Sequence, residues 1–306
     1  MPRCHAAASF ATDLPTTRQR RRPTGSAGGF TMVELLVVIA IIVLIIAILL
    51  PVFGKVRANA RTTTCTVNQR SIALAMTSYA TDNAGRIPSP RTDNFSNAPG
   101  VGATTQHTWV KATTGDPDGA GPLKAGVVGG VETEASLENG VIFPYMDRAT
   151  KAYRSPNDPT DRVRSYSINA YIGNQSCPDD WDFDTFVPIP QDEVSLRTSA
   201  LTQIPQPAAT MCSIVEESAA GFNKQGWIID WYTPEWIDLP AFWDEGRLSV
   251  SYLDGSTRTL NLFSQRFINE ATALGGNFID PSGDGGAWFV LRDMLLPGRC
   301  DLNDLP

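Results

Sequence analysis

Three groups of side chains have the type and spacing to do chemistry in this sequence. The first is a lone carboxylate, Glu34, inside the 21-residue apolar run Phe30–Leu50, of which it is the only charged residue. A carboxylate near one end of a membrane-spanning helix costs about 2–3 kcal/mol and needs a partner. No cation is available within the helix. An α-amino group created at Phe30, one turn away, would neutralise it, in the same chain or in a neighbouring one. The second group is acidic: Asp179, Asp180, Asp182 and Asp184, then Asp280 and Asp284 in a Gly-containing segment. Paired carboxylates serve acid–base catalysis, but acidic surface loops are the plainer reading. Calcium is the more credible use, because hard oxygen ligands on Gly-containing loops suit it, although neither segment has EF-hand spacing. The third group is aromatic. Trp227, Trp231, Tyr232, Trp236 and Trp243 lie close to Asp230 and Glu235. Such a set builds a sugar-binding platform or, as the plainer reading, a core or subunit interface with polar tips.

Other chemistries are excluded or thinly supported. The chain has two histidines, His5 and His107, in no paired motif. It contains no G-x-S-x-G, P-loop or H-E-x-x-H pattern, and no enzymatic activity is expected. Residues 1–29 hold five Arg and one Asp; without them 20 basic and 31 acidic residues remain, a net charge near −11. An acidic domain without a basic stripe is a poor nucleic-acid binder, since phosphate contacts need clustered Lys and Arg.

The elements that must position these residues follow from hydropathy. About 20 apolar residues cross the ~30 Å hydrocarbon core as a helix, and Arg18–Arg22 ahead of the run hold that end in the cytoplasm. A single pass, N-terminus in and C-terminus out, is expected. Beyond Pro51 the pattern turns amphipathic, with Val56, Ala60, Val67, Ile72, Ala75, Met76 and Tyr79 at roughly helical spacing. Asp82-Asn83-Ala84-Gly85, with Pro88 after it, is a stop signal. One long helix from about Phe30 to Thr81 is expected, its second half packed on the domain that follows. Beyond residue 100, short apolar runs alternate with turn clusters, the texture of an irregular antiparallel sheet with long loops. The clearest element is a hairpin over 248–262 with Asp254-Gly255 at its turn. The fold class is α+β.

The run Gly29-Phe30-Thr31-Met32-Val33-Glu34-Leu35-Leu36-Val37-Val38-Ile39-Ala40 resembles the type IV prepilin cleavage motif of pilins and type II secretion pseudopilins. The resemblance implies that a membrane prepilin peptidase cuts after Gly29 and methylates the amine of Phe30, and that Glu34 is the assembly residue. Pro51 falls where pilins commonly have a helix-kinking proline. A secretory signal or plain anchor is the competing reading. However, a conventional signal has a ~7–15-residue apolar core with its cleavage site after it, and here the Gly-Phe junction precedes a longer core. Further blocks resemble a subgroup of large prepilin-like proteins with a C-terminal "H-X9-DG" segment. Asn139-Gly140 through Pro144-Tyr145 is similar to its "G-x-x-x-P-Y". Ser155-Pro156-Asn157-Asp158 is similar to its "C-P-x-D", with Ser155 for the usual Cys. Ser165-Tyr166-Ser167-Ile168-Asn169 matches "S-Y-x-x-N". Asp254 and Gly255 match the DG, while the His position holds Asp244, so the motif is degenerate.

Cleavage after Gly29 would remove Cys4 and leave Cys65, Cys177, Cys212 and Cys300 in a compartment that permits disulfides. Three pairings are open, and Cys65, on the anchor helix, reads equally well as a packed free thiol. The expected organisation is a leader (1–29), a transmembrane and assembly helix (30–53), its amphipathic continuation (54–82) and an extracytoplasmic head (83–306). The expected function is that of a prepilin-like structural subunit of a type II secretion pseudopilus or type IV pilus-like filament in the inner membrane. Its implied partners are the peptidase, other pilin or pseudopilin subunits and the inner-membrane assembly platform. No cofactor is expected, apart from calcium at Asp280 and Asp284. The alternative is a membrane-anchored extracytoplasmic binding protein or enzyme that uses the same export route.

Overall fold

A computed structural model describes residues 29–90, 108–110, 134–160, 162–173, 198, 200–217, 226–229, 236, 238–244, 246–274 and 285–296. The chain divides into two compact units, Met1–Val52 and Phe53–Pro306.

Helix α1 runs Met32–Asp82, 51 residues with Pro51 inside it. Its end follows the stop signal. Gly85 donates to the Ala80 carbonyl at 2.7 Å and Asn83 to that of Tyr79 at 3.0 Å, while Ala84 and Gly85 take positive φ of 56° and 83°. This left-handed cap satisfies carbonyls that the helix leaves open. Up to residue 57 every described residue of α1 is exposed. From Cys65 onward one arc is buried: Cys65, Gln69, Ile72, Ala73, Ala75, Met76, Tyr79 and Ala80. The expected amphipathic set is therefore half right. Ile72, Ala75, Met76 and Tyr79 are buried, but Val56 and Val67 are 57% and 55% exposed and Ala60 is exposed. At 3.6 residues per turn those three fall on the opposite arc.

After a short helix, α2 (Glu134–Glu138), the described strands form an antiparallel, five-stranded sheet. β1 (Tyr166–Ile168), β2 (Met211–Glu217), β4 (Leu248–Tyr252) and β5 (Thr257–Leu260) lie in that order, and β3 (Leu239–Pro240) also pairs with β2. The registers Ser167↔Ile214, Ile214↔Val250 and Val250↔Arg258 run across it. Because side chains alternate along a strand, the sheet carries two cores. On one face Val215 joins Ile72, Met76 and Tyr79 of α1, and so does Cys212, which the register irregularity between Met211 and Ser213 turns to the same side. On the other, Ile214, Leu248, Val250 and Tyr252 meet Phe267 of α3 (Gln265–Leu274) and Trp288 and Leu291 of α4 (Gly285–Leu295). The α1 side of β2 and β4 is small and polar, with Ser213 Oγ and Ser251 Oγ 2.6 Å apart. That lets the helix come close enough for Gln69 Nε2 to donate to the Ser249 carbonyl at 2.7 Å. A long N-terminal helix with an antiparallel sheet is an α+β fold and fits a pilin-like architecture.

Candidate functional site

Gly29 and Phe30 stand outside any element just before α1; Phe30 is 76% exposed, and among the described residues, chain neighbours apart, no heavy atom lies within 4 Å of where a Cβ at Gly29 would stand. Thr31 caps α1. Its hydroxyl accepts from the Glu34 N–H at 3.2 Å, while Glu34 Oε2 accepts from the Thr31 N–H and hydroxyl, each at 2.8 Å. This is a reciprocal capping box, T-x-x-E, and the acidic side chain also lies at the positive end of the helix dipole. Backbone and hydroxyl donors of Thr31 thus hold Glu34 at a place where the helix itself offers no cation. The Thr31-x-x-Glu34 spacing carried that signal. Beyond it, the large apolar residues of 30–50 are 42–87% exposed. An 18-residue window has mean hydropathy 3.6 with none of it buried, long and apolar enough to cross a membrane.

The remaining sequence blocks converge on the second half of α1, within the Phe53–Pro306 unit. Asp244, at the degenerate His position, accepts from the Thr62 hydroxyl through both carboxylate oxygens, at 2.8 and 2.9 Å. It also pairs with Arg247 Nη2 at 3.0 Å. Asp254 forms an Asx turn, accepting from the Ser256 N–H and hydroxyl at 2.8 and 2.6 Å. Gly255 adopts φ +83°, and a Cβ there would come within 2.9 Å of Leu74 Cδ2. The Gly is needed both for its left-handed backbone and for the approach to the helix. The β4–β5 hairpin thus meets α1 at Gln69 and Leu74, and the segment leading into it meets α1 at Thr62.

The other blocks do the same. Tyr145 donates to Asp82 Oδ2 at 2.9 Å and lies edge-on to Tyr79. The Ser155 hydroxyl lies 3.8 Å from Cys65 Sγ, and the Tyr166 hydroxyl donates to the Cys65 carbonyl at 3.4 Å. Asp158 organises the segment behind them. It accepts from Thr160 N–H and Oγ1 at 2.8 and 2.7 Å, from Ser165 Oγ at 2.5 Å and from Arg162 Nε at 2.6 Å. Asn169, fully buried, donates to the carbonyls of Met211 and Leu295 at 3.0 and 2.7 Å and accepts from Tyr171 N–H at 2.8 Å. It nails α4 to the sheet.

Buried ionisable groups lie beside this scaffold. Burial pushes the Glu216 carboxyl well up, with the Asp238 charge adding to it and Arg164 and Arg162 opposing. Burial raises Asp238 to about 7, against the Ile228 N–H that donates to it at 2.8 Å. Cys65 and Cys212 are buried free thiols; burial raises both, Cys212 to about 12, which leaves them poor nucleophiles. Neither Cys65 nor Cys212 stands in a disulfide. Trp227 and Trp236 are fully buried, with ring centroids 6.4 Å apart, so they are core and not an exposed platform. Trp243 is half-buried, its indole N–H donating to Glu217 at 3.0 Å.

Several candidates lie outside the described residues: Cys4, Cys177, Cys300, His107, Asp179, Asp180, Asp182, Asp184, Asp280, Asp284, Asp230, Trp231, Tyr232 and Glu235. Among the described residues, no group of three or more His, Cys, Asp or Glu side chains could hold a metal ion. Compared with protein-family models, with curated proteins and with solved structures, the chain matches none of them.

Proposed function

We propose that the chain is a prepilin-like structural subunit, cut after Gly29 by a prepilin peptidase and assembled through α1 into a type II secretion pseudopilus or type IV pilus-like filament. One observation carries the reading: an exposed Gly29-Phe30 junction stands directly before a capped helix whose apolar residues are exposed on every side up to Leu50. A helix that is apolar all round is covered by lipid or by other helices. A subunit that leaves a membrane for a filament exchanges one cover for the other.

The capping box supports the same order of events. Cleavage breaks the Gly29–Phe30 bond and leaves the Phe30–Thr31 amide whole, so Thr31 keeps the N–H and hydroxyl that hold Glu34. The freed amine adds a cation beside a carboxylate that is already oriented. The amine of a neighbouring subunit is the second available partner, and pairing there would bring copies into register. In this reading the chain is non-catalytic, its head faces away from the cytoplasm, and its partners are the peptidase, other subunits and the inner-membrane assembly platform.

Two measurements test it. Mass spectrometry of the protein from native membranes should find a chain that begins with N-methylated Phe30. Substituting Glu34→Ala should abolish incorporation into filaments while cleavage continues. An uncut chain, or one trimmed after Leu50, would sink the proposal. Unchanged activity at the membrane in the Glu34→Ala chain, without any filament, would instead identify an anchored binding protein or enzyme.

A further inference from the structure

From Leu35 to Thr81 the chain has no acidic residue and four basic ones, Lys55, Arg57, Arg61 and Arg70. Three of these fall within the seven residues 55–61, beginning five residues after the apolar run ends at Leu50. All are exposed, and none of the three forms an ion pair among the described residues. At 3.6 residues per turn, Phe53, Val56 and Ala60 share one arc of α1. Lys55 borders that arc on one side, Arg57 and Arg61 on the other. Phe53 and Val56 are 63% and 57% exposed. Their arc is the one turned away from Cys65, Gln69 and Met76, which pack on the sheet.

We infer that residues 53–61 form an interfacial collar that takes anionic phospholipid headgroups, in the leaflet at the C-terminal end of the membrane span. An apolar strip bordered by cations is the pattern of a helix at a membrane surface. Lys and Arg stems lie along the apolar boundary and their charged heads reach phosphate. As helix, five residues rise ~7.5 Å, comparable to the headgroup layer of one leaflet, roughly 5–8 Å. Arg70, 20 residues beyond Leu50, stands ~30 Å along the helix and outside that layer. Each cation near an anionic surface favours binding roughly fivefold, so three give a preference on the order of a hundredfold. The rival occupant is the acidic face of a second copy. Residues 83–306 hold 16 basic and 29 acidic residues, which would account for the cations but leave the exposed Phe53 and Val56 without a cover. The inference rests on membrane anchoring and not on processing or filament assembly.

The test uses the full chain in nanodiscs of phosphatidylcholine mixed with phosphatidylglycerol, with the lipids retained on the protein counted by native mass spectrometry. The unsubstituted chain should retain phosphatidylglycerol in large excess over its share of the bilayer. The triple variant K55Q/R57Q/R61Q should lose that excess, while R70Q keeps it; Gln preserves helix propensity, and an unchanged melting temperature of the head confirms folding. Retention in proportion to the bilayer, or an excess that survives the triple substitution, would overturn the inference. So would a triple variant that keeps its lipids and loses self-association, since the cations would then serve a second copy.

Discussion

The two halves of α1 share one secondary structure and live in opposite surroundings. Up to Phe53 the helix is apolar on all sides and exposed on all sides. From Cys65 it buries a single arc against the sheet, and that arc includes Gln69 and three alanines. Hydrophobicity therefore does not tell which part of the helix is core. Among the described residues nothing buries the more apolar half, while the less apolar half is built into the head. Burial follows the shape and polarity of what lies opposite. The serines of β2 and β4 leave room for α1, and the Ser249 carbonyl gives Gln69 its partner.

The sharpest way to break the comparison is to make the same substitution in both halves. Ile72 is fully buried, and Ile72→Ala should cost the head about 2–5 kcal/mol through lost burial and the cavity left behind. Ile42, 48% exposed, should leave head stability unchanged on substitution by Ala, with membrane insertion weakened by only ~0.5 kcal/mol. Denaturant unfolding of the two variants measures the difference; equal losses would mean the first half is also part of the core.

A smaller effect is expected where the segment leading into the hairpin meets the helix. Asp244→Ala removes a charged acceptor from the Thr62 hydroxyl and should destabilise the head by about 1–2 kcal/mol. In a double-mutant cycle it should couple to Thr62→Ala by roughly 1 kcal/mol and not at all to Ile42→Ala. Additive Asp244 and Thr62 effects would remove this contact from the account of how the hairpin docks.

The last effect is pH-dependent and confined to the head. Burial raises Asp238 from 3.8 to about 7. A carboxyl raised on folding favours the native state fully while it is neutral, below about 4. That contribution fades as pH rises towards 7 and is gone above it. The melting temperature of the head should therefore fall between pH 5 and pH 8. Asp238→Asn, which keeps an acceptor for the Ile228 N–H, should flatten the fall, leaving what Glu216 contributes. A variant with the same pH profile as the parent would show that Asp238 titrates normally.

Much of this was legible in the residues. An apolar run of that length can only be a helix in lipid or among helices, and Asp82-Asn83-Ala84-Gly85 ended it where expected. Asp254-Gly255 marked a turn, since few other pairs tolerate a left-handed residue there. The T-x-x-E spacing at Thr31 and Glu34 was equally local, but it was hidden behind the cost of a carboxylate in an apolar run. Less legible was which aromatic and polar residues would be buried. Trp227 and Trp236 read as a platform or a core, and only their packing against Phe263 and Phe267 decided for the core.

What the sequence by itself determined is whatever depends on neighbours along the chain: the helix and its caps, the reach of its apolar run, the hairpin turn. Those are set by backbone geometry and by contacts a few residues apart. Tertiary structure alone decided that Asp244 meets Thr62 across 182 residues, that Ser155 faces Cys65 across 90, and that Val56 and Val67 stay outside. Periodicity fixes which residues share a face, but a helix has more than one apolar face here, and the sheet opposite selects the one whose shape and hydrogen bonds it can match.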